Sequence, residues 1–253
     1  MTAEFIAVPD LAVPNGFFTR NGGVSTGPFA SLNCSLSGQD ARDHVLENRA
    51  RVARALGADP AALVGLTQVH GADTVTVTHA WPPGAGPRAD ACVTNQPGIA
   101  LGIVTADCAP VLFADARHGV VGAAHAGWRG AVLGILDSTL AAMQALGAHP
   151  ADTVAAVGPC IGQASYEVAA DLHDAVLAQN PAAAVFFADG VRPERWQFDL
   201  AGYCAARLRA LGIGQVIVTG HDTLADDARF FSHRRRTLAN AGPIGHQISV
   251  IRL

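Results

Sequence analysis

The chain has 253 residues, half of them hydrophobic and only 15% charged, with a formal net charge of −4. A single domain of this size removes roughly 70–75% of its unfolded surface from water, so a core forms without disulfide staples, and the low charge excludes a disordered chain. The one basic block, Arg234–Arg236, is too small a footprint for nucleic acid as main partner, and no apolar run approaches the ~20 residues of a membrane span.

One domain over residues 1–253 is therefore expected. In chain order, Gly16–Thr19 reads as a short strand and Gly22-Gly23 as a turn. Ala41–Leu56 carries Val45, Leu46, Val52, Ala53 and Leu56 at near-helical spacing, with Asp40 as N-cap and Gly57 as stop. Strands are predicted at Leu63–Val69, Thr74–Thr78, Ala91–Thr94, Ala100–Thr105, Val111–Ala114 and Val120–Ala124, from their Val, Ile and Leu content and turn punctuation. Trp81–Pro87 is a Pro/Gly-rich surface loop. Further on come helices at about Gly130–Leu146, Ala169–Gln179 and Leu200–Leu211, and strands at Thr153–Val157, Gln215–Thr219 and Gln247–Leu253. A strand-rich centre flanked by helices predicts an α+β or mixed α/β class, and the alternation is too irregular for a doubly wound sheet.

Cys34, Cys92, Cys108, Cys160 and Cys204 are odd in number, scattered and without a Cys-x-x-Cys pair, which points to a reducing compartment. The N-terminus lacks a basic stretch followed by an apolar run, so the cytoplasm is the expected location.

Three segments place reactive residues directly after predicted strands, in small-residue loops: Gln68-Val69-His70-Gly71, Thr105-Ala106-Asp107-Cys108 and Ala124-His125-Ala126-Gly127-Trp128-Arg129-Gly130. A strand end fixes a side chain, and glycines let a ligand approach the backbone. Two imidazoles and a thiolate from His70, His125 and Cys108 suit Zn²⁺ and leave a fourth tetrahedral position for water, whose pKa the metal would lower to about 7. The same residues allow a Cys108 nucleophile with His70 or His125 as base. Taken singly, a histidine is more often a hydrogen-bonded structural residue and a cysteine a small buried hydrophobe. Spacing does not decide among these.

These motifs resemble the laccase-domain purine nucleoside phosphorylase family, earlier described as multicopper polyphenol oxidase-like and including bacterial peptidoglycan-editing proteins. Besides the three segments, the resemblance runs through Thr19-Arg20-Asn21-Gly22-Gly23-Val24-Ser25, Ser31-Leu32-Asn33, Glu47-Asn48-Arg49, Gly158-Pro159-Cys160-Ile161-Gly162, Tyr166-Glu167-Val168 and Phe230-Phe231-Ser232-His233-Arg234-Arg235. It implies His70, Cys108 and His125 as zinc ligands, and a four-layer α/β/β/α sandwich with mixed sheets. Arg236 and Ala241-Gly242-Pro243 replace an acidic residue and a Thr-Gly-Arg-like turn, and Asp222 stands where a cysteine is common; these departures bear on tail contacts and substrate preference.

Around the three ligands, Arg129 is placed to bind phosphate through its forked donors, helped by amides at the start of the following helix; its structural alternative is bridging carbonyls. Arg20 and Asn33 lie in resembling loops and are candidate ligand contacts, with turn formation explaining Asn33 as well. Asp107 is a candidate to orient a ligand histidine or serve as acid/base, strand-end capping being the alternative. Arg234-Arg235 reads as a solvated charge run, and Cys160 as loop packing.

The resemblance implies phosphorolysis of adenosine, inosine, guanosine and methylthioadenosine, and deamination of adenosine. Metal-activated water adding to C6 of adenine accounts for deamination, with Asp107 or a water replacing the absent His-x-Glu acid/base. Phosphorolysis needs a phosphate oriented at the anomeric carbon. The resemblance also allows a hydrolase that removes a wrongly attached amino acid from a peptidoglycan precursor. Copper-dependent phenol oxidation is disfavoured, because the ten histidines are scattered without His-x-His pairs. A non-enzymatic metal-binding scaffold fits an open ligand position less well.

Overall fold

The central apolar runs lack polar alternation because they become strands buried on both faces. A computed structural model describes residues 2–253. In chain order its strands are β1 (Phe5–Ile6), β2 (Asn15–Phe18), β3 (Leu63–Gly65), β4 (Thr74–Thr76), β5 (Ala91–Thr94), β6 (Ala100–Thr105) and β7 (Ala109–Asp115). They continue as β8 (Val120–Ala126), β9 (Val154–Val157), β10 (Glu167–Val168), β11 (Phe187–Asp189), β12 (Trp196–Phe198), β13 (Gln215–Val218) and β14 (Gln247–Arg252). The α-helices are α1 (Arg42–Ala55), α2 (Trp128–Leu133), α3 (Ile135–Ala145), α4 (Ala170–Gln179), α5 (Leu200–Ala210) and α6 (His233–Leu238).

Two large mixed sheets face each other, with strand orders β1-β2-β14-β6-β3 and β13-β9-β7-β8-β5-β4. In the first, β14 pairs antiparallel with β2 and β6, while β3 runs parallel to β6. In the second, antiparallel β5, β8, β7 and β9 carry parallel β4 and β13 at the edges. The period-two alternation of a strand sorts side chains into separate cores. Leu112 and Ala114 of β7 meet Leu101 and Ile103 of β6 between the sheets, whereas Val111 and Phe113 point to the opposite face, under α3, α4 and α5. On the outer face of the five-stranded sheet, Ala100, Ile248 and Val250 pack against Val52, Ala53 and Leu56 near the end of α1. The order is α1, sheet, sheet, helices: the α+β, four-layer α/β/β/α sandwich that the resemblance implies.

Several sequence expectations change in detail. The predicted helix Gly130–Leu146 is two helices, α2 and α3, because Gly134 adopts φ of 95° and its amide closes the first helix on the Gly130 carbonyl. Asp40 does not cap α1; its carboxylate accepts from Ser25 Oγ, Asn33 Nδ2 and the Ala41 amide. The strand begun at Leu63 stops at Gly65, leaving Leu66–Gly71 as loop. Strand β1, the small sheet β10-β12-β11 and helix α6 lie outside the predicted elements. Arg234-Arg235 is not a solvated run. It lies in the first turn of α6, where Arg234 donates to the Glu167 carbonyl and Arg235 to those of Phe230, Thr223 and Leu224. Among the described residues, no helix is long and apolar enough to cross a membrane.

Candidate metal centre

The connection from β6 to β7 carries the chain from one sheet to the other, and Cys108 is its last residue. His125 is the penultimate residue of β8, which pairs with β7 through Pro110. His70 lies in the loop between β3 and β4, another passage from sheet to sheet. These three elements bring the donor atoms of His70, Cys108 and His125 within 4.8 Å of one another. The two imidazoles meet edge to face, with centroids 4.7 Å apart. His125 is buried, Cys108 half-buried and His70 exposed, so the group is open on one side.

The backbone is shaped around the cluster. A Cβ at Gly127 would stand 3.0 Å from Cys108 Sγ and 3.1 Å from His70 Cδ2, so any larger residue there would press on both side chains of the cluster. His70 and Asp107 adopt φ of 61° and 97°, a left-handed region that costs non-glycine residues about 1–3 kcal/mol each. Asp90, at the entry to β5, is what holds this arrangement. Its buried carboxylate accepts the amides of Val69, His70 and Gly71 at 3.0, 2.9 and 2.8 Å, and Oδ1 lies 2.8 Å from His125 Nδ1. The Asp90 carbonyl also accepts the His125 amide at 2.7 Å.

Electrostatics follow from this packing. Burial pushes the Cys108 thiol up, but the His125 and His70 imidazoles against it prevail and bring it down to about 6. Burial pushes His125 down, and Cys108 together with the Asp90 hydrogen bond outweighs it, so His125 is raised. Asp90 is lowered: burial opposes its charge, while His125 and the Gly71 and Val69 amides favour it. Without a metal, the group is a thiolate beside an imidazolium. Two imidazole nitrogens and a sulfur already disposed towards its anion form a donor set that fits a borderline-soft divalent metal, with one position left open. The cluster could therefore hold a metal ion.

A cavity of about 530 Å³ opens beside it, a size ordinary for a small-molecule site. Arg129 lines it, with its guanidinium 4.4 Å from the Trp128 ring and exposed. It lies in the first turn of α2, not ahead of a helix as expected. Among the described residues Arg129 has no hydrogen-bond or ion-pair partner in the bond network around the cavity rim, where Arg234 is tied to the Glu167 carbonyl. Asp107 also lines the cavity, but its carboxylate is taken up by Thr223 Oγ1, Ser232 Oγ and the Arg234 amide at 2.6, 3.0 and 2.6 Å. The histidine-orienting role considered for Asp107 falls to Asp90, because Asp107 faces the tail instead.

Arg20 and Asn33 are not among the cavity's lining residues. Arg20 donates to the Ala30 and Asp227 carbonyls, pairs with the Asp227 carboxylate at 2.8 Å and lies over Phe231. Asn33 is buried, donating to Asp40 and accepting the Ser35 and His246 amides. Both order the loops behind the site. Residues that sequence reasoning missed are Asp90, Tyr166, His233 and His246; the last three line the cavity. An aspartate directly before the short run Ala91-Cys92-Val93 was the signal for Asp90.

The fold and site together define an α/β/β/α protein with a His-Cys-His cluster that could hold a metal ion, placed where the chain crosses between sheets. The chain belongs to the family described as multi-copper polyphenol oxidoreductase laccase, whose sequence profile matches residues 14–253. It is 45% identical over 248 residues to a Deinococcus radiodurans protein named purine nucleoside phosphorylase, covering 98% of this chain and 92% of that one. The crystal structure of Neisseria meningitidis protein NMB0706 superposes with a TM-score of 0.86 at 36% identity, over 100% of this chain and 98% of that one. That of Bacillus licheniformis hypothetical protein YfiH gives 0.90 at 32% identity, over 100% and 96%.

Proposed function

We propose that this protein is a zinc-dependent enzyme of purine nucleosides, catalysing phosphorolysis of adenosine, inosine, guanosine and methylthioadenosine, and deamination of adenosine. The observation that carries the reading is the His70–Cys108–His125 cluster opening onto a cavity of nucleoside size, in a chain whose close relative bears a phosphorylase name. Zinc suits two imidazoles, a thiolate and an open position, and when bound it supplies a Lewis acid that makes water nucleophilic near neutral pH. Copper oxidation of phenols is less well served. The ligand set alone resembles a copper site, but Met143 lies in the helix-side core and supplies no axial ligand. Among the described residues there is also no second cluster to pass electrons to.

The chain's own residues then bind and orient. Trp128 and Tyr166 offer aromatic surface for the purine. Burial pushes the Tyr166 phenol up, keeping it a neutral hydrogen-bond donor at pH 7. Arg129 contacts the nucleoside at the cavity mouth, and Asp107 positions Arg234 and the start of α6 on the rim. In phosphorolysis a phosphate oxygen joins the anomeric carbon as the bond to the base breaks. The base leaves with a proton taken from phosphate or water. All five cysteines are free thiols, as suits the cytoplasm.

The arginines at the mouth favour one second reading, amino-acid release from an anionic peptidoglycan precursor. The experiment is to give zinc-loaded protein adenosine with and without phosphate. Inosine without phosphate, and free base plus ribose 1-phosphate with it, are expected. If none of these products forms, the nucleoside assignment fails, and amino-acid release from a cell-wall nucleotide precursor becomes the assay to run.

A further inference from the structure

Helix α1 points Arg49 inward, where it is only 5% exposed. There it lines a second cavity of about 180 Å³, which shares Ser35, Ser37, Gln68 and Val104 with the cavity beside the metal cluster. A guanidinium has five N–H donors. Two of these reach carbonyls, from Nη1 to Cys34 at 3.3 Å and from Nη2 to Leu63 at 3.4 Å, both beyond the usual range, and Nε has no partner among the described residues. The ionisable group facing Arg49 is the Cys34 thiol, which burial pushes up to about 12, so it is neutral at pH 7. Among the described residues Arg49 is thus a buried cation without a counter-charge, which is strongly unfavourable unless an anion completes it.

The surroundings leave room for one. Gly65, Gly84, Gly86 and Gly102 line this second cavity, and a Cβ at Gly65 would stand 3.1 Å from Arg49 Nη2. Glycine there keeps the guanidinium face clear. The Ser35 and Ser37 hydroxyls, 3.1 Å apart, add rotatable donors on the wall shared with the larger cavity. Arg129, by contrast, is exposed at the mouth, where water and salt screen its charge.

We propose that this side pocket binds a small tetrahedral oxyanion of the phosphate class, held by Arg49 with the Ser35 and Ser37 hydroxyls. Its use as the seat of the phosphate co-substrate rests on the nucleoside reading; anion binding itself does not. Phosphate then lies one wall away from the cluster cavity, and Arg49 rather than Arg129 is its principal charge partner.

The test is calorimetric titration of the purified full chain with inorganic phosphate, in a buffer free of phosphate and sulfate. Saturable binding of one phosphate per chain is expected. Arg49→Met should weaken it at least about tenfold, the scale of losing charge-assisted hydrogen bonds, and Arg129→Met should leave it nearly unchanged. Because Arg49 is buried, Ser37→Phe serves as a second variant: Ser37 is exposed, and a ring there obstructs the pocket without touching the core. It should weaken phosphate while leaving the melting temperature in place. No saturable binding to wild type by about 50 mM, an affinity below any specific site, would overturn the proposal. So would binding that survives both Arg49→Met and Ser37→Phe but is lost in Arg129→Met. Phosphate binding without nucleoside turnover would leave this site standing and remove the nucleoside reading alone.

Discussion

The Asp90 carboxylate lies 2.8 Å from Nδ1 of His125, and the same oxygen accepts the His70 amide at 2.9 Å. Nδ1–H of His125 therefore donates to Asp90, which leaves Nε2 free for a metal and raises the basicity of the ring. One buried carboxylate orients one ligand directly and holds the loop of another. Replacing Asp90 with Asn retains the shape but weakens this acceptor, and metal affinity is expected to fall about 10–100-fold. Competition against a fluorescent chelator measures it. Unchanged affinity would show that the three ligands hold their positions without Asp90.

Cys108 differs from the other cysteines in a way that chemical labelling can read. Its thiol is brought down to about 6, whereas Cys34, Cys92 and Cys204 are pushed up to about 12 and Cys160 well above its ordinary value by burial. In native, metal-free protein, iodoacetamide should modify Cys108 alone, at a rate that is level above about pH 7 and falls below pH 6. Added zinc should protect it. A rate that keeps rising to pH 9, or a label found on a buried cysteine, would contradict the imidazole-stabilised thiolate.

His246 predicts an acid-sensitive fold. Its Nδ1 is buried without a partner among the described residues, and burial, with His233 and His125 nearby, lowers its pKa from 6.5 to about 4. Below pH 6.5 the unfolded chain takes up a proton that the folded chain refuses, so stability is full above 6.5 and is lost as pH falls towards 4. The loss attributable to this residue is about 3 kcal/mol. Urea unfolding of metal-free protein between pH 7 and 4 should show this slope, and His246→Phe should flatten it. An equal slope in the variant would assign the acid sensitivity to other groups.

Asp107 is expected to matter for the tail more than for the metal. Asp107→Ala leaves Thr223, Ser232 and the Arg234 amide without their acceptor, and a loss of about 2–4 kcal/mol follows from breaking such a buried network. Bound metal per folded chain should stay near the wild-type level. Loss of metal at full stability would restore Asp107 to the cluster.

Most of the large strands and the three metal-binding candidates were legible because each depends on local pattern: an apolar run, then a reactive residue in a small-residue loop. Asp90 was not, since its partners lie 20 and 35 residues away and meet only when β5 lies beside β8. Arg49 belongs to the Glu47-Asn48-Arg49 motif, but whether α1 turns it to water or to the interior depends on which face meets the sheet. Arg234 and Arg235 read as surface charge because a sequence shows their charge and not the carbonyls waiting for them. The strands β10, β11 and β12 are two or three residues long, too short for a period to register.

The most direct test of the metal centre is elemental analysis of protein purified without added metal, comparing the native chain with Cys108→Ala. Two imidazoles and a thiolate around one open position predict about one zinc per chain, and loss of most of it when the thiolate is removed. A Cys108→Ala protein that keeps full zinc occupancy would contradict the centre described here.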